Sequence, residues 1–118
     1  MLIKIKPLSV NECWQGQRFK TPLYKAYEKE LLYRLPALSL PAPPYMIYFE
    51  FGLSSSNSDW DNPIKPFQDI LQKKYGFNDR HIDLGITRKV RVKKGEEYVR
   101  FKISTLDDSV FDFLNSVR

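Results

Sequence analysis

Two aspartates separated by one residue stand where the most apolar stretch of the chain ends. Asp59 and Asp61 follow the apolar stretch 45–53 and a serine-rich loop at 54–58. On extended backbone, side chains two residues apart point to the same side, so this spacing predicts that both carboxylates face together. A third carboxylate, from Asp79, would complete an oxygen-rich pocket of the kind that Mg²⁺ occupies.

Cleavage of a phosphodiester bond is the chemistry that such a pocket could serve. The reaction needs a growing negative charge to be neutralised and a water to be activated, and bound Mg²⁺ does both. Lys65 stands four residues after Asp61, and Asp69 stands four residues after Lys65. On a helix, Lys65 can approach either carboxylate, so it could orient an aspartate, contact the scissile phosphate or stabilise the transition state.

The three aspartates also have separate structural explanations. Asp59 suits a loop, Asp61 suits the N-terminus of a helix, and Asp79 suits a turn. Aspartate is enriched at each of these kinds of position. A D-x-D pattern followed by a distant aspartate therefore leaves both a metal site and an ordinary protein surface open.

Composition limits the classes of protein to consider. The chain has 118 residues and a net charge of +5, which predicts one domain over 1–118 and is compatible with a polyanionic partner. Cys13 and His81 are each the only residue of their type, which excludes an internal disulfide and a histidine-rich zinc site and suits a reducing cytoplasm. The N-terminus alternates like a strand rather than a signal peptide, and no apolar run is long enough to cross a membrane.

Local patterns predict two clearly bounded helices and one buried strand. A Thr-Pro pair at 21–22 starts a helix that runs to Leu35, and an Asn-Pro pair at 62–63 starts a second helix that stops at Gly76. Between them, the stretch 45–51 is almost continuously apolar or aromatic. That composition is typical of a central strand covered on both faces.

Two alternating strands near the C-terminus predict a β-hairpin. Even-numbered residues from 82 to 92 are apolar apart from Arg88, and residues 98–103 alternate again after a turn at 94–95. A capping pattern at 105–108 predicts a further helix. We expect the apolar sides to face the core and the outer face of the hairpin to be basic. Its basic residues are Lys89, Arg91, Lys93, Arg100 and Lys102.

These basic residues, and the N-terminal segment, each allow two interpretations. The hairpin face could hold phosphates or be an ordinary solvated sheet face. The segment 7–20 has no clear periodicity and carries Asn11, Arg18 and Lys20. It could be an arm that contacts a nucleic-acid substrate or an ordinary surface loop.

At these residues the chain resembles the RusA family of Holliday junction resolvases, found in bacteria and their phages. The family pattern is D-x-D-N, a lysine four residues after the second aspartate, an aspartate four further on, and a last aspartate before a strand. The matching residues here are Asp59-Trp60-Asp61-Asn62, Lys65, Asp69 and Asp79. The segments 7–11 and 76–82 are also similar to the family, the first to its Pro-Ser-x-Asn loop and the second to the approach to its last aspartate.

The resemblance implies a complete active site. Asp59, Asp61 and Asp79 would bind Mg²⁺, with Mn²⁺ able to substitute, and Lys65 would be the essential lysine. Asn62 and Asp69 would have supporting roles. The residues expected to contact DNA are Asn11, Arg18, Lys20, Lys89, Arg91, Lys93, Arg100 and Lys102.

The resemblance also implies a fold, an assembly and a setting. We expect a single small α+β domain whose mixed sheet of about four strands includes the C-terminal hairpin, packed by two to three helices. A homodimer would match a four-way junction, with one active site for each of two opposed strands. Such an enzyme would resolve Holliday junctions and other branched DNA by paired phosphodiester hydrolysis in recombination and repair. It would work in the cytoplasm, encoded by a bacterium or a prophage.

Two other interpretations stay open. The chain could be a non-catalytic nucleic-acid-binding module with the same fold and basic face. It could also be a protein-interaction subunit in which the acidic residues form a structural ion site or have no role in binding.

Overall fold

A computed structural model describes residues 1–16 and 19–116, which form a mixed sheet with two α-helices packed on one face. The strands are β1 (Leu2–Ile3), β2 (Trp14–Gln15), β3 (Phe19–Lys20), β4 (Tyr45–Leu53), β5 (Ile82–Arg91) and β6 (Tyr98–Thr105). The helices are α1 (Pro22–Arg34) and α2 (Ile64–Tyr75), with 3₁₀ segments at Val10–Glu12, Asp79–His81 and Asp108–Ser116. The α+β class and the four-stranded mixed sheet are confirmed. Within the described residues, no helix has the length and apolar character needed to cross a membrane.

Strand β4 lies inside the four-stranded sheet, as its apolar sequence predicts. The order is β1-β6-β4-β5, and β2 and β3 form a separate antiparallel pair. β6 runs antiparallel to β4, whereas β5 runs parallel to it. On one face, Ile47, Phe49 and Phe51 of β4 are buried against the helices. Burial of this kind is the main favourable term in folding, so β4 organises the core.

The two helices follow their predicted signals. The Thr21 side chain accepts a hydrogen bond of 3.1 Å from the Tyr24 amide and caps α1, which ends before the buried residue Leu35. Gly76 ends α2 with a φ of 73°, a conformation that glycine adopts without steric cost. Phe67 of α2 is fully buried and contacts the aromatic rings of the core face. Both helices therefore cover the face that carries Phe49 and Phe51.

The predicted C-terminal hairpin is wrong. β5 and β6 lie on opposite sides of β4 and do not pair with each other. The chain leaves β4, passes through α2 and returns as β5 beside and parallel to β4, which makes a β-α-β unit. Alternation shows which side chains share a face but not which strand is the neighbour. The strongly apolar β4 takes the position between the two candidate partners.

The face predicted for β5 is also wrong, and this divides the basic residues. From Leu84 onward, the even-numbered residues of β5 share a face with Tyr48 and Glu50, on the side of the sheet opposite α1 and α2, which we call the outer face. Ile82, which precedes a shift in register, pairs with Tyr45 and packs against the core. Lys89 pairs with Phe51, so it lies on the helix-bearing face, and so does Arg91. On β6, the prediction that Val99 and Phe101 point to the core is confirmed, and Arg100 and Lys102 lie on the outer face. The basic side chains of the two strands therefore do not form one surface.

The predicted side-chain caps at the starts of two helices are replaced by other hydrogen bonds. The Thr105 hydroxyl donates a hydrogen bond of 2.5 Å to the Ala42 carbonyl instead of capping a helix, and the segment that follows is 3₁₀. Helix α2 begins at Ile64 without a side-chain cap, and the Ile64 amide donates to the backbone carbonyl of Asp61 at 3.1 Å. The expected Asn62 cap is therefore absent from the start of α2.

Candidate active site at the end of strand β4

Two loops meet where β4 ends. The Val10 amide donates a hydrogen bond of 2.9 Å to the Asn62 carbonyl, which joins the segment 7–12 to the segment 59–62. The Ser9 side chain and Glu12 form a capping box that shapes the first of these segments. A cavity of about 310 Å³ opens between the loops, and its lining includes Lys6, Glu12, Ser54, Asp59, Asn62 and Glu97. A cavity with both polar and apolar lining therefore lies directly beyond the buried end of the sheet.

Asp59 and Asp61 are exposed at this edge. Among the residues that the structure describes, neither carboxylate has a hydrogen-bond or ion-pair partner. The backbone bends at Trp60 and Asp61, so the extended geometry assumed from the spacing is not what positions the pair. Lys89 of β5 instead anchors the loop, because its Nζ donates a hydrogen bond of 2.7 Å to the Ser58 carbonyl. The loop is tied to the sheet while its two carboxylates stay available to a ligand.

Lys65 stands beside this loop on the first turn of α2. Its Nζ lies 2.7 Å from Oδ1 of Asp69, one helical turn further on. The Lys65 side chain is 62% exposed, so the ion pair is open to solvent. Of the two carboxylates that Lys65 was expected to approach, it contacts Asp69. This pairing directs the ammonium group toward the second turn of α2 rather than toward the loop that carries Asp61.

The structure does not bring Asp79 to this site. Asp79 immediately precedes β5, and the first residue of β5, Ile82, pairs with Tyr45 at the start of β4. Asp59 and Asp61 follow the other end of β4. At about 3.3 Å per residue, a strand of nine residues separates its ends by roughly 25 Å. The predicted gathering of three carboxylates within one chain is therefore wrong, because parallel pairing puts the starts of β4 and β5 together.

The donor chemistry at the end of β4 still suits a hard divalent cation. Within residues 1–16 and 19–116, no group of three His, Cys, Asp or Glu side chains is placed to hold a metal ion. Mg²⁺ is usually bound through only one or two carboxylates, with water and substrate phosphate oxygens filling its other positions. Asp59 and Asp61 provide that smaller set. Two carboxylates alone would leave most positions of such an ion to water and phosphate oxygens.

The residues predicted to contact DNA are spread over several surfaces. Asn11 is exposed in the 3₁₀ segment that joins the candidate site, whereas Lys20 pairs with Glu28 at 3.1 Å. Lys93 is exposed after β5. Arg18 lies outside the described residues. The remaining four are divided between the two faces of the sheet. Lys89 contacts the loop after β4, and Arg91 and Lys93 line a cavity together with Ser54 of that loop.

Sequence reasoning missed a buried carboxylate on the outer face. Glu50 is 6% exposed, and it accepts hydrogen bonds from the hydroxyls of Tyr48 and Tyr98, the second at 2.5 Å. Nη1 of Arg100 lies 3.9 Å from its Oε1. The two tyrosine hydroxyls, with help from Arg100 and Arg88, lower the pKa of Glu50 despite its burial. The signal was a single glutamate inside the apolar strand β4.

Tyr98 covers this carboxylate by lying across a glycine. A side chain added at Gly52 would place its Cβ 2.3 Å from Cδ1 of Tyr98, so the ring occupies the space above the glycine. Burial and the hydrogen bond to Glu50 raise the pKa of Tyr98 to about 12. Tyr98 is therefore a neutral hydrogen-bond donor at physiological pH.

The only cysteine does not have the environment of a nucleophile. Cys13 is buried and its Sγ donates a hydrogen bond to the Ser9 carbonyl at 3.3 Å. Burial raises the pKa of the Cys13 thiol to about 11, so little thiolate forms near neutral pH. Cys13 packs the base of the loop that adjoins the candidate site.

Comparison with known proteins adds no relative to this picture: no protein-family model matches the chain, and no curated protein matches it.

Proposed function

We propose that the chain is a Mg²⁺-dependent endonuclease of the RusA type that resolves Holliday junctions and other branched DNA by paired phosphodiester hydrolysis. One observation carries the proposal: a loop anchored to the central sheet presents two aspartates that have no side-chain partner in the described part of the chain, next to the helix that carries Lys65. Asp59 lines the cavity and Asp61 follows it in the same loop, and carboxylates so exposed can bind a divalent cation that assists phosphate chemistry. The corresponding setting is DNA recombination and repair in a bacterial cytoplasm, with the enzyme encoded by the host or a prophage.

Each residue of the loop has a defined part in this proposal. Asp59 and Asp61 bind Mg²⁺, which when present neutralises charge on the phosphate and lowers the pKa of a bound water. Lys65 offers a positive charge to the scissile phosphate, and its pairing with Asp69 restricts the rotamers of the lysine. The hydrogen bond between Val10 and Asn62 holds the loop against the segment 7–12.

Basic residues on both faces of the sheet would hold the DNA backbone. Lys89 stands at the active-site loop, and Arg88, Arg100 and Lys102 form a second group on the outer face. Each phosphate neutralised on duplex DNA adds about 0.9 to the slope of log affinity against log salt. Binding that depends steeply on salt is therefore expected.

The outer face favours a second candidate function, a nucleic-acid-binding module without catalysis. Tyr98 lies over Gly52 on this face, next to Arg88 and Arg100, whose side chains are exposed. Aromatic rings and arginines on a sheet can bind unpaired bases by stacking, worth about 1–3 kcal/mol per base. In this second candidate, Asp59 and Asp61 would have no catalytic role.

A cleavage assay separates the two functions. The purified protein is incubated with a labelled four-way junction and with a linear duplex of matched sequence, each with Mg²⁺, with Mn²⁺ and with chelator. We expect paired nicks in the junction that require the metal. Asp61→Asn should abolish nicking while junction binding persists, and Asp112→Asn serves as control because Asp112 is exposed in the C-terminal 3₁₀ segment.

The other outcomes are equally informative. Binding without cleavage under either metal would overturn the enzyme and support the binding module. Failure to bind either DNA would overturn both and leave a protein-interaction subunit. Nicking that survives in Asp61→Asn would remove the aspartate pair from the active site.

A further inference from the structure

The turn that follows β5 lies beside the loop that carries Asp59 and Asp61, and it holds a cluster of positive charge. We propose that this turn, residues 93–96, binds backbone phosphates of the DNA next to the scissile bond, and that Glu97 holds the turn in position. This inference rests on the proposed function. It adds a substrate-binding subsite to a loop whose aspartates would bind the metal.

The end of the sheet fixes the turn next to this loop. Arg91, the last residue of β5, pairs with Leu53, the last residue of β4. One residue further on, the Val92 amide donates a hydrogen bond of 3.0 Å to the Leu53 carbonyl. The chain therefore enters the turn at the point where the loop begins at Ser54.

The turn has a defined backbone. The Glu96 amide donates a hydrogen bond of 2.9 Å to the Lys93 carbonyl, which closes a turn of four residues. Its third residue, Gly95, has a φ of 91°, a conformation in which a larger side chain would be strained. The order Lys-Lys-Gly-Glu therefore suits a turn whose first two residues are exposed lysines.

Glu97 ties the turn to the loop. Its Oε1 accepts a hydrogen bond of 2.7 Å from the Gly95 amide, and its Oε2 accepts one of 2.8 Å from the Ser54 hydroxyl. Hydrogen bonds from its own amide and from the Ser54 hydroxyl lower the pKa of Glu97, so the carboxylate is ionised at neutral pH. A single carboxylate thus bridges the basic turn and the loop of the candidate site.

The cations at this turn are not neutralised by other side chains. Arg91, Lys93 and Lys94 are exposed, and their side chains have no hydrogen-bond or ion-pair partner among the described residues. Lys20 and Lys65, by contrast, each pair with a carboxylate. Positive charges held close together raise the local concentration of anions, so this cluster favours an anionic ligand.

The cavity that these cations line adjoins the candidate active site. It has a volume of about 650 Å³, and Ser54 lines both this cavity and the one that Asp59 lines. A DNA strand whose scissile phosphate lies at the aspartates would therefore bring a neighbouring phosphate to the turn. Lysine is a compact charge on a flexible stem, which suits contacts to phosphate that do not select a base sequence.

The salt dependence of DNA binding tests the turn without any measurement of cleavage. The affinity for a labelled four-way junction is measured by fluorescence anisotropy at a series of salt concentrations, with chelator present. Each neutralised phosphate contributes about 0.9 to the slope of log affinity against log salt. A variant with both Lys93→Met and Lys94→Met should therefore lower the slope by about 0.9 if one lysine binds a phosphate and by about 1.8 if both do.

A pair of lysines on α1 provides the matched control. Lys25 and Lys29 are exposed, and replacing both by methionine removes the same charge from another surface. This control should keep the slope of the unaltered protein. A turn variant whose slope equals that of the control overturns the phosphate subsite.

The positioning role of Glu97 predicts an effect opposite to that of charge alone. Glu97→Ala removes a negative charge, which by itself would strengthen DNA binding. If Glu97 positions the turn, the same change should weaken junction binding by about fivefold near 0.1 M salt, close to the loss of one phosphate contact. Ser54→Ala removes the hydroxyl donor without changing the charge and should also weaken binding.

Glu96→Ala is the matched control for the carboxylate. Glu96 is exposed on the same turn, and its side chain has no partner in the part of the chain that the structure describes. Its removal should leave junction binding equal or slightly stronger. If Glu97→Ala strengthens binding as Glu96→Ala does, the positioning role of Glu97 is overturned.

The outcomes also separate this inference from the proposed function. Metal-dependent nicking by the unaltered protein, with a full slope in the turn variant, supports the endonuclease and overturns the subsite. Binding without nicking overturns the endonuclease, while a lowered slope in the turn variant still supports phosphate binding at the turn. Failure of the unaltered protein to bind DNA overturns both.

Discussion

The chain carries carboxylates in two contrasting settings at and beyond strand β4. Glu50 points to the outer face, is almost fully covered, and has two tyrosine hydroxyls and an arginine as partners. Asp59 and Asp61 stand in the loop after the strand, exposed and without a side-chain partner among the described residues. A buried carboxylate must be paired because leaving it unsatisfied is costly. An exposed carboxylate has no such requirement and can bind a ligand.

The difference separates a structural role from a chemical one. The hydrogen-bonding capacity of Glu50 is already used by neighbours that hold β4, β5 and β6 together on the outer face. The oxygens of Asp59 and Asp61 have no partner among the described residues and can therefore accept a cation. We therefore expect substitutions at Glu50 to change stability and substitutions in the loop to change activity.

The largest difference in the free energy of unfolding should appear when each kind of carboxylate is removed in turn. Glu50→Ala should lower the free energy of unfolding by about 2–3 kcal/mol, because it removes two hydrogen bonds to a charged group. Asp61→Ala should change it by less than about 0.5 kcal/mol, as expected for an exposed side chain with no partner among the residues that the structure describes. Urea denaturation of both variants measures the difference. Equal losses would contradict the assignment of separate roles.

A somewhat smaller effect should follow from filling the space under Tyr98. Gly52→Ala sets a methyl group 2.3 Å from the ring, so Tyr98 must move away from Glu50 at a cost of about 1–3 kcal/mol. Gly85→Ala is the matched control on β5, where an added Cβ has no atom within 4 Å. We expect that control to be neutral or slightly stabilising, since alanine is less costly than glycine in a strand. Thermal unfolding of the two variants compares them, and equal losses would contradict the close packing of Tyr98 on Gly52.

Local signals in the sequence were sufficient to predict the helices and the central strand. The Thr21 cap and the Gly76 stop act within one turn of chain, and the apolar run of β4 requires burial wherever it lies. The alternation in β6 likewise identified Val99 and Phe101 as core residues. These features depend on a residue and its near neighbours in the chain, so they can be predicted from the sequence.

Strand neighbours and the far aspartate could not be predicted in the same way. The alternation in β5 is compatible with a hairpin to β6 or with parallel pairing to β4, and only the path of α2 across the sheet decides between them. The same choice sets the end of the sheet at which Asp79 lies. Glu50 was visible as a lone charge in β4, but its tyrosine partner Tyr98 comes from a distant strand. Tertiary pairing, rather than local preference, determines all three.

The pH dependence of stability should distinguish Glu50 from an exposed acid. Its pKa in the folded protein lies below the ordinary value of 4.5, first because the hydroxyls of Tyr48 and Tyr98 donate to the carboxylate. A lowered folded pKa gives stability that is fully present above the unfolded pKa and is lost as the pH falls through the folded pKa. The advantage of the unaltered protein over Glu50→Gln should therefore be constant above about pH 6 and shrink below about pH 4.5. Urea denaturation of both proteins at a series of pH values measures it, and a gap that widens on acidification would contradict the hydrogen-bonded carboxylate.

The smallest effect on stability should come from the ion pair beside the loop. Lys65 and Asp69 are one helical turn apart, the lysine exposed and the aspartate partly exposed, and such pairs contribute about 0.3–0.5 kcal/mol. Lys65→Met keeps a long side chain of similar helix propensity, so the free energy of unfolding should fall by no more than about 0.5 kcal/mol. If Lys65 serves the phosphate, the same substitution should slow junction nicking at least about tenfold, an effect much larger than the lost ion pair explains. Asp69→Asn is the matched control, because it breaks the same pair and leaves the ammonium in place. Equal nicking rates for Lys65→Met, Asp69→Asn and the unaltered protein would show that Lys65 has no catalytic role. Of the residues contrasted with Glu50, the two aspartates alone would then serve catalysis.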